Sequence, residues 1–311
     1  MRLEGIHHIT AVTADARRNL DFYTRVLGLR LVKKSVNQDD PTAYHLFYSD
    51  EAGSPGADLT FFEYPGATLG RPGAGMVHRI IWRVTSGDAL TFWEERLRGE
   101  QIAAERNGGR LTFTDPEGLG LEIALSEASD DPLIAEHPEI PAAVALQGFD
   151  GVRAYAADPG ASRSFLLDAL WFAADGEERF VARGDRRGGF YAYDRTDRPG
   201  IPGAGTVHHV AWASTTENHE QWRRRVIEGG GHPTPVIDRF YFRSIYFREP
   251  SGVLFEIATL GPGFTADEPL ERLGERLALP PKFEPLREML ERTLTPLPNP
   301  RKNWVRTRSS P

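Results

Sequence analysis

The chain has 311 residues, 40% apolar and 26% charged, with a formal net charge of −7 and no cysteine. It is long enough to bury a sizeable core in two domains, and the missing thiols exclude disulfides, thiolate catalysis, zinc fingers and cysteine-ligated clusters. The acidic balance argues against a nucleic-acid partner, and no apolar run approaches a membrane span. Met1-Arg2-Leu3-Glu4 leads straight into a strand-like stretch, so no leader peptide is expected and the protein reads as soluble and cytoplasmic.

Taken in order, the chain repeats itself. A strand over Ile6–Val12 carries His7 and His8. A helix capped by Asp15 follows, with Leu20, Tyr23 and Leu27 on one face and Gly28 at its end. Extended segments come next at 30–36, 43–48 and 59–64. The pattern restarts at Val77–Trp82, with a helix over Asp88–Arg98 stopped by Gly99. That unit closes through Arg110–Thr114, the turn Asp115-Pro116-Glu117-Gly118 and a strand over 121–124. A third start is Gly148–Tyr155, with a helix around Pro159–Leu170. The fourth is Val207-His208-His209-Val210, with a helix near Thr215–Glu228 ended by three glycines. Its last two strands, Arg243–Arg248 and Val253–Leu260, meet at Glu249-Pro250-Ser251-Gly252.

One β-α-β-β-β unit is therefore written four times. A single unit leaves a sheet face bare, and pairing two units buries it around a cup. The expected fold is α+β: modules one and two over 1–128, a linker rich in Asp, Pro and Ala at 129–145, and modules three and four over 146–260. An extension over 261–311 contains an amphipathic helix at Pro285–Leu294 and a basic end (Arg301, Lys302, Arg306, Arg308) that reads as solvated. Trp82, Trp93, Trp171, Trp212 and Trp222 are expected to pack helices against sheets.

Comparing the modules with one another locates the chemistry. Aligned strand openings put His8, Arg79, Gly151 and His209 at one position; aligned closing strands bring Thr60, Glu122 and Glu256 together. A carboxylate in an apolar strand is costly to bury unpaired. A lone histidine on a strand is usually a core or surface group, but two pairs at matching positions, together with Glu256, point to a metal. Modules two and three cannot assemble two histidines and a glutamate. Modules one and four can, if they share a cup, and His8, His209 and Glu256 then form the two-histidine, one-carboxylate facial set of non-haem Fe(II) oxygenases. In module two, an Arg79–Glu122 ion pair is the expected substitute for metal.

Four such modules, with Ile245-Tyr246-x-x-Glu249-Pro250-x-Gly252-x-x-x-Glu256 in the last, resemble the vicinal-oxygen-chelate superfamily of glyoxalases, extradiol ring-cleaving dioxygenases and metal-free drug-binding proteins. The likeness covers about residues 1–260. Arg239 stands upstream of the Ile-Tyr pair where catechol-cleaving members have a histidine. With His7-His8 and His208-His209, it makes the chain most similar to the hydroquinone-cleaving dioxygenases. That resemblance implies two open barrel- or cup-like domains and Fe2+, with Mn2+ as the other candidate, on His8, His209 and Glu256. It also implies that the substrates are a small aromatic diol and O2.

Around the metal, the resemblance makes Tyr246 and Arg239 the groups that stabilise charge developing on oxygen, and His208 a proton donor. It draws His7 close to the metal as well, although strict strand alternation would point both His7 and His208 away. Thr10 shares the face of His8 and can reach a bound phenol. Two other classes stay open: a glyoxalase-type isomerase or thiol transferase, which needs a fourth ligand where Thr60 stands, and a metal-free binding protein. The sequence leaves the oligomeric state open.

Overall fold

The structure is a computed structural model that describes residues 1–302 and Trp304. Module one supplies strands β1 (Ile6–Thr13), β2 (Arg30–Val36), β3 (Tyr44–Ser49) and β4 (Asp58–Glu63). Module two supplies β5 (Met76–Val84), β6 (Glu105–Asn107), β7 (Arg110–Thr114) and β8 (Gly120–Leu125). From module three come β9 (Phe149–Ala156), β10 (Ala173–Ala174), β11 (Arg179–Arg183) and β12 (Gly188–Arg195). Module four gives β13 (Val207–Ser214), β14 (Ile237–Asp238), β15 (Arg243–Arg248) and β16 (Leu254–Thr259).

These strands build two eight-stranded sheets, β14-β15-β16-β13-β1-β4-β3-β2 and β10-β11-β12-β9-β5-β8-β7-β6. Each module has the same wiring. Its first strand lies parallel to its fourth, which the intervening helix makes reachable, and the remaining strands follow antiparallel. Within each sheet two modules join through their opening strands, β1 against β13 and β5 against β9, both antiparallel. The α+β class with repeated modules is as the sequence predicts.

Alternation along the strands sorts the core. On β16, Phe255 and Ile257 enter the main cluster with Trp212, whereas Ala258 joins Phe47, Ala211, Tyr241 and Phe242 on the opposite face. Helix α2 (Gly87–Gly99) is capped by Ser86, whose Oγ accepts from Ala89 N–H, and buries Leu90, Trp93 and Leu97. Helix α3 (His219–Glu228) buries Trp222 and Val226.

Some local expectations are revised. The first module's helix is short: α1 (Ala16–Asp21), capped by Asp15, widens into a π turn over Phe22–Val26 closed by Leu27 N–H to Phe22 O. Gly28, at φ 72°, ends it, and the Tyr23 hydroxyl donates to Asp115 in the neighbouring module at 3.1 Å. Module three repeats the device at Phe165–Ala169 after a 3-10 turn at Pro159–Ser162. The C-terminal helix α4 covers only Arg287–Thr293, because Pro285 confines the preceding residues to a 3-10 turn. Trp171 is 50% exposed, with the Arg225 guanidinium 3.7 Å from its ring centroid, rather than packed between sheet and helix. Arg301 pairs with Glu51 at 2.7 Å and is not solvated, while Arg306 and Arg308 lie outside the described residues. Among the described residues no helix is long and apolar enough to cross a membrane.

Candidate metal centre

The opening strands carry the histidines, and their pairing is irregular in a way that matters. Ile6 faces Trp212 but His8 faces Ala211; Thr10 faces His209 but Ala11 faces Val207. His7 and His208 are therefore the extra residues of two β-bulges, one on each strand. A bulge breaks strict alternation, so each bulged histidine turns toward its ligand neighbour rather than away from it. His7 Nδ1 lies 2.9 Å from His8 Nδ1, and His208 Nδ1 lies 2.8 Å from His209 Nδ1. His7 is buried, whereas His208 is exposed on the cavity side.

From β1, β13 and β16 the structure brings His8, His209 and Glu256 together at the base of one cup, all buried. His8 Nε2 is 3.3 Å from His209 Nε2, and the two nitrogens lie 3.2 and 2.9 Å from Glu256 Oε2. Ligands at right angles around a metal about 2.1 Å away sit about 3 Å apart, so this spacing suits one ion. Glu256 Oε2 is fully buried and receives no hydrogen bond, a state that a cation resolves. The other oxygen, Oε1, is occupied: Ser244 Oγ donates to it at 2.5 Å. The carboxylate thus offers one oxygen in a fixed direction. Burial opposes its charge, but the His8 and His209 rings outweigh burial and hold the carboxyl well below the usual range. Burial lowers His209 as well, against the pull of Glu256.

The hydrogen-bond network also selects the histidine tautomers. His7 Nε2 lies 3.1 Å from the Thr259 carbonyl, which can only accept, so Nε2 carries the His7 hydrogen. His7 Nδ1 is then an acceptor, His8 donates from Nδ1, and His8 Nε2 presents its lone pair to the centre. For His209 to present its Nε2 lone pair in the same way, its Nδ1 must donate to His208 Nδ1, 2.8 Å away, which leaves the His208 hydrogen on Nε2. Phe242 holds the pair from the side, 5.1 and 5.2 Å from the His7 and His8 ring centroids.

A cavity of about 500 Å³ opens over His8 and His209. Tyr246 and Arg239 line it, with Arg239 Nε donating to the Tyr246 hydroxyl at 3.2 Å. Burial and Glu256 keep the Tyr246 phenol protonated by pushing its pKa up. The Arg239 charge is not free: its Nη1 and Nη2 donate to both oxygens of Asp39 at 2.8 Å each, and Gln38 donates to its carbonyl. These contacts bridge the β2–β3 and β14–β15 loops across the mouth of the cup. Thr10 is fully buried and does not line the cavity; it shares a hydrogen bond with Thr60 at 2.8 Å, and Thr60 shares one with His45 at 2.9 Å. Thr60, at the place of a fourth ligand, is thereby tied up.

Sequence reasoning missed Ser244, His45 and Asp39. Ser244 had a readable signal, because it lies two residues from Tyr246 on the same face of β15. Asp39 had none, since its partner stands 200 positions away.

The sequence profile of the Glyoxalase/Bleomycin resistance protein/Dioxygenase superfamily matches residues 5–123 and 148–257. The chain is 41% identical over 301 residues to the protein named "Putative ring-cleaving dioxygenase MhqO" of Bacillus subtilis, covering 94% of this chain and 96% of that one. It is 33% identical over 312 residues to the chlorohydroquinone/hydroquinone 1,2-dioxygenase of Sphingobium indicum, with 94% and 96% covered. The crystal structure of a "putative dioxygenase" from Bacillus subtilis superposes with a TM-score of 0.89 at 39% identity, over 96% of this chain and 98% of that one. The chain belongs to the glyoxalase/bleomycin resistance protein/dioxygenase superfamily.

Proposed function

We propose that the protein is a cytoplasmic, non-haem Fe(II) dioxygenase of the extradiol type that opens a hydroquinone-type ring, or a catechol-type one, with O2. The observation that carries this reading is the cluster of two imidazoles and one carboxylate with a single unbonded oxygen, His8 and His209 lining the cavity above it. The names of the relatives support the same chemistry. His8, His209 and Glu256 would hold the metal, with Mn2+ as the other fitting ion, in a cup shared by the first and last modules. On this reading 1–128 holds modules one and two, 129–145 is the linker, 146–260 holds modules three and four, and 261–311 is the extension.

An iron(II) ion at these ligands supplies the one-electron chemistry that lets a closed-shell diol react with O2. Both oxygen atoms enter the product as one ring C–C bond breaks, so no outside reductant is needed. The protein's part is positioning. Phe47 and Phe62 give the ring apolar walls, and the Tyr246 hydroxyl, held by Arg239, donates to oxygen bearing developing charge. His208 directs its Nε2–H from the cavity rim, and His7 keeps His8 in the ligating tautomer. Thr10 acts through Thr60. A glyoxalase-type reaction with a fourth ligand is disfavoured, because Thr60 is bonded to Thr10 and His45. The test is oxygen uptake: protein loaded anaerobically with Fe(II) should consume one O2 per methyl- or chlorohydroquinone. Metal retention without uptake would refute the dioxygenase.

A further inference from the structure

The cavity wall contains an imidazole that the ligand set does not use. His45 lies on β3, half-buried, its ring held by Phe47 and Phe62 at centroid distances of 3.9 and 4.5 Å. Its Nε2 meets Thr60 Oγ1, which meets Thr10 Oγ1, and Thr10 Oγ1 has no further partner among the described residues. A buried hydroxyl hydrogen without an acceptor costs more than an unused lone pair. The bonds therefore run outward from Thr10: its O–H donates to Thr60, and the Thr60 O–H donates to His45 Nε2. In a neutral imidazole that leaves the hydrogen on Nδ1, which has no partner among the described residues. Burial, with His8 and His209 nearby, lowers the affinity of His45 for a second proton, so the ring stays neutral.

β3 is separated from β1, which carries His8, by β4 alone. At about 4.8 Å per strand that separation is about 10 Å. His8 and His45 line the same cavity from these two strands. A para-diol, with an oxygen at each end of its ring, can address both sides, whereas a catechol, with its oxygens on adjacent carbons, cannot.

Resting on the function proposed above, we propose that His45 Nδ1–H donates to the oxygen of a para-diol that is not held by the metal. His45 is then the specificity residue for para-dihydroxybenzenes, and Thr60 and Thr10 are positioning residues that fix its tautomer.

The test is anaerobic calorimetry on the full chain loaded with Mn2+, using hydroquinone, 4-methoxyphenol and 4-methylphenol. Wild type should bind hydroquinone and 4-methoxyphenol, which both offer a para oxygen as acceptor, about tenfold more tightly than 4-methylphenol, the scale of one hydrogen bond. His45→Phe should abolish that preference while binding 4-methylphenol within about twofold of wild type, and His45→Gln, whose amide can donate, should recover part of it. An unchanged preference in His45→Phe with metal content retained overturns the assignment. Equal weakening of all three phenols overturns it too, because that marks a wall rather than a donor. Oxygen uptake is independent of this comparison. Uptake with an unaltered preference in His45→Phe refutes His45 alone, whereas para-selective binding without uptake supports His45 and refutes the dioxygenase.

Discussion

Replacing His7 by phenylalanine separates a metal-orienting role from ordinary packing. The imidazole is 5% exposed, with its Nε2 on the Thr259 carbonyl at 3.1 Å and its Nδ1 on His8 at 2.9 Å. Phenylalanine keeps the ring contact with Phe242 but removes both hydrogen bonds. The Thr259 carbonyl and the His8 Nδ1–H then lie unpaired in dry surroundings, at about 1–3 kcal/mol each, so stability should fall by about 2 kcal/mol or more. His8 also becomes free to carry its hydrogen on Nε2, the tautomer that cannot ligate. Loss of an orienting partner of this kind weakens metal binding by about 10–100-fold. The assay is an anaerobic competition titration of Fe(II) or Mn(II) against a chelator, run beside urea unfolding of the metal-free protein. His7→Gln, whose amide can donate to Thr259 and accept from His8, should recover part of the affinity. A His7→Phe protein that loses stability but binds metal within twofold of wild type would refute the relay and leave His7 a core residue.

Glu256→Gln should keep the fold but lose most bound metal, since an anionic ligand becomes neutral; normal iron content by elemental analysis would remove Glu256 from the centre. Burial, reinforced by His8, lowers His7 from 6.5 to about 3, and His45 and His209 are lowered as well. The unfolded chain therefore takes up protons near pH 6.5 that the folded chain refuses, so stability present above pH 6.5 is lost as pH falls toward 4, by at most about 1.4 kcal/mol per pH unit for each ring. Urea midpoints of metal-free protein at pH 7.5 and 5 measure this, and a midpoint that holds or rises at pH 5 contradicts it. Lys33 is fully buried against Glu268 at 2.5 Å and Asp267 at 2.7 Å, tying the C-terminal segment to β2. Lys33→Ala should cost about 3–5 kcal/mol, because the buried Glu268 carboxylate loses its buried partner and keeps only the exposed Arg276 at 3.7 Å; a loss under 1 kcal/mol in urea unfolding would show that Arg276, a proton or water compensates Glu268. Arg239→Ala should lower hydroquinone turnover more than metal binding, and wild-type protein that cleaves catechol as well as hydroquinone would sink the preference for para-diols.

The repeat was legible because an opening strand, a helix and closing strands recur in each unit, with a glycine ending the helix in modules one, two and four and a Pro-x-Gly turn before the last strand of modules two and four. The directions of His7 and His208 were not, because a β-bulge has no side-chain code and strict alternation points both residues the wrong way. The π turns were hidden for a related reason: Leu20, Tyr23 and Leu27 keep a helical spacing whether or not the turn widens by one residue. Arg239 was readable as a cation near the cup, but its pairing with Asp39 depends on two loops from opposite ends of the chain meeting over the mouth. His45 looked like any polar residue on a half-buried strand. Only its hydrogen bond to Thr60, which stands where a fourth ligand would, gives it a role.

The second sheet shows how much of the centre belongs to side chains rather than to the fold. β5 and β9 carry the same pair of bulges, at His78 and Asp150, so the backbone arrangement of the candidate metal cup is present twice. At the position of His209 stands Gly151, where a Cβ would lie 2.4 Å from the Phe190 ring; that ring takes the space a ligand would need. At the position of His8 stands Arg79, and the buried Glu122 accepts from it at 3.3 Å and from Arg110 at 2.5 Å. Leaving Glu122 without a cation would cost several kcal/mol, so its two arginine partners do electrostatically what a metal would do for Glu256. His78, freed from any ligand neighbour, turns to Asp194 at 2.7 Å. One backbone plan therefore serves a candidate catalytic cup and a structural one. The difference comes from a glycine with its filling ring, an arginine in place of histidine, and the ion pairs that replace an ion.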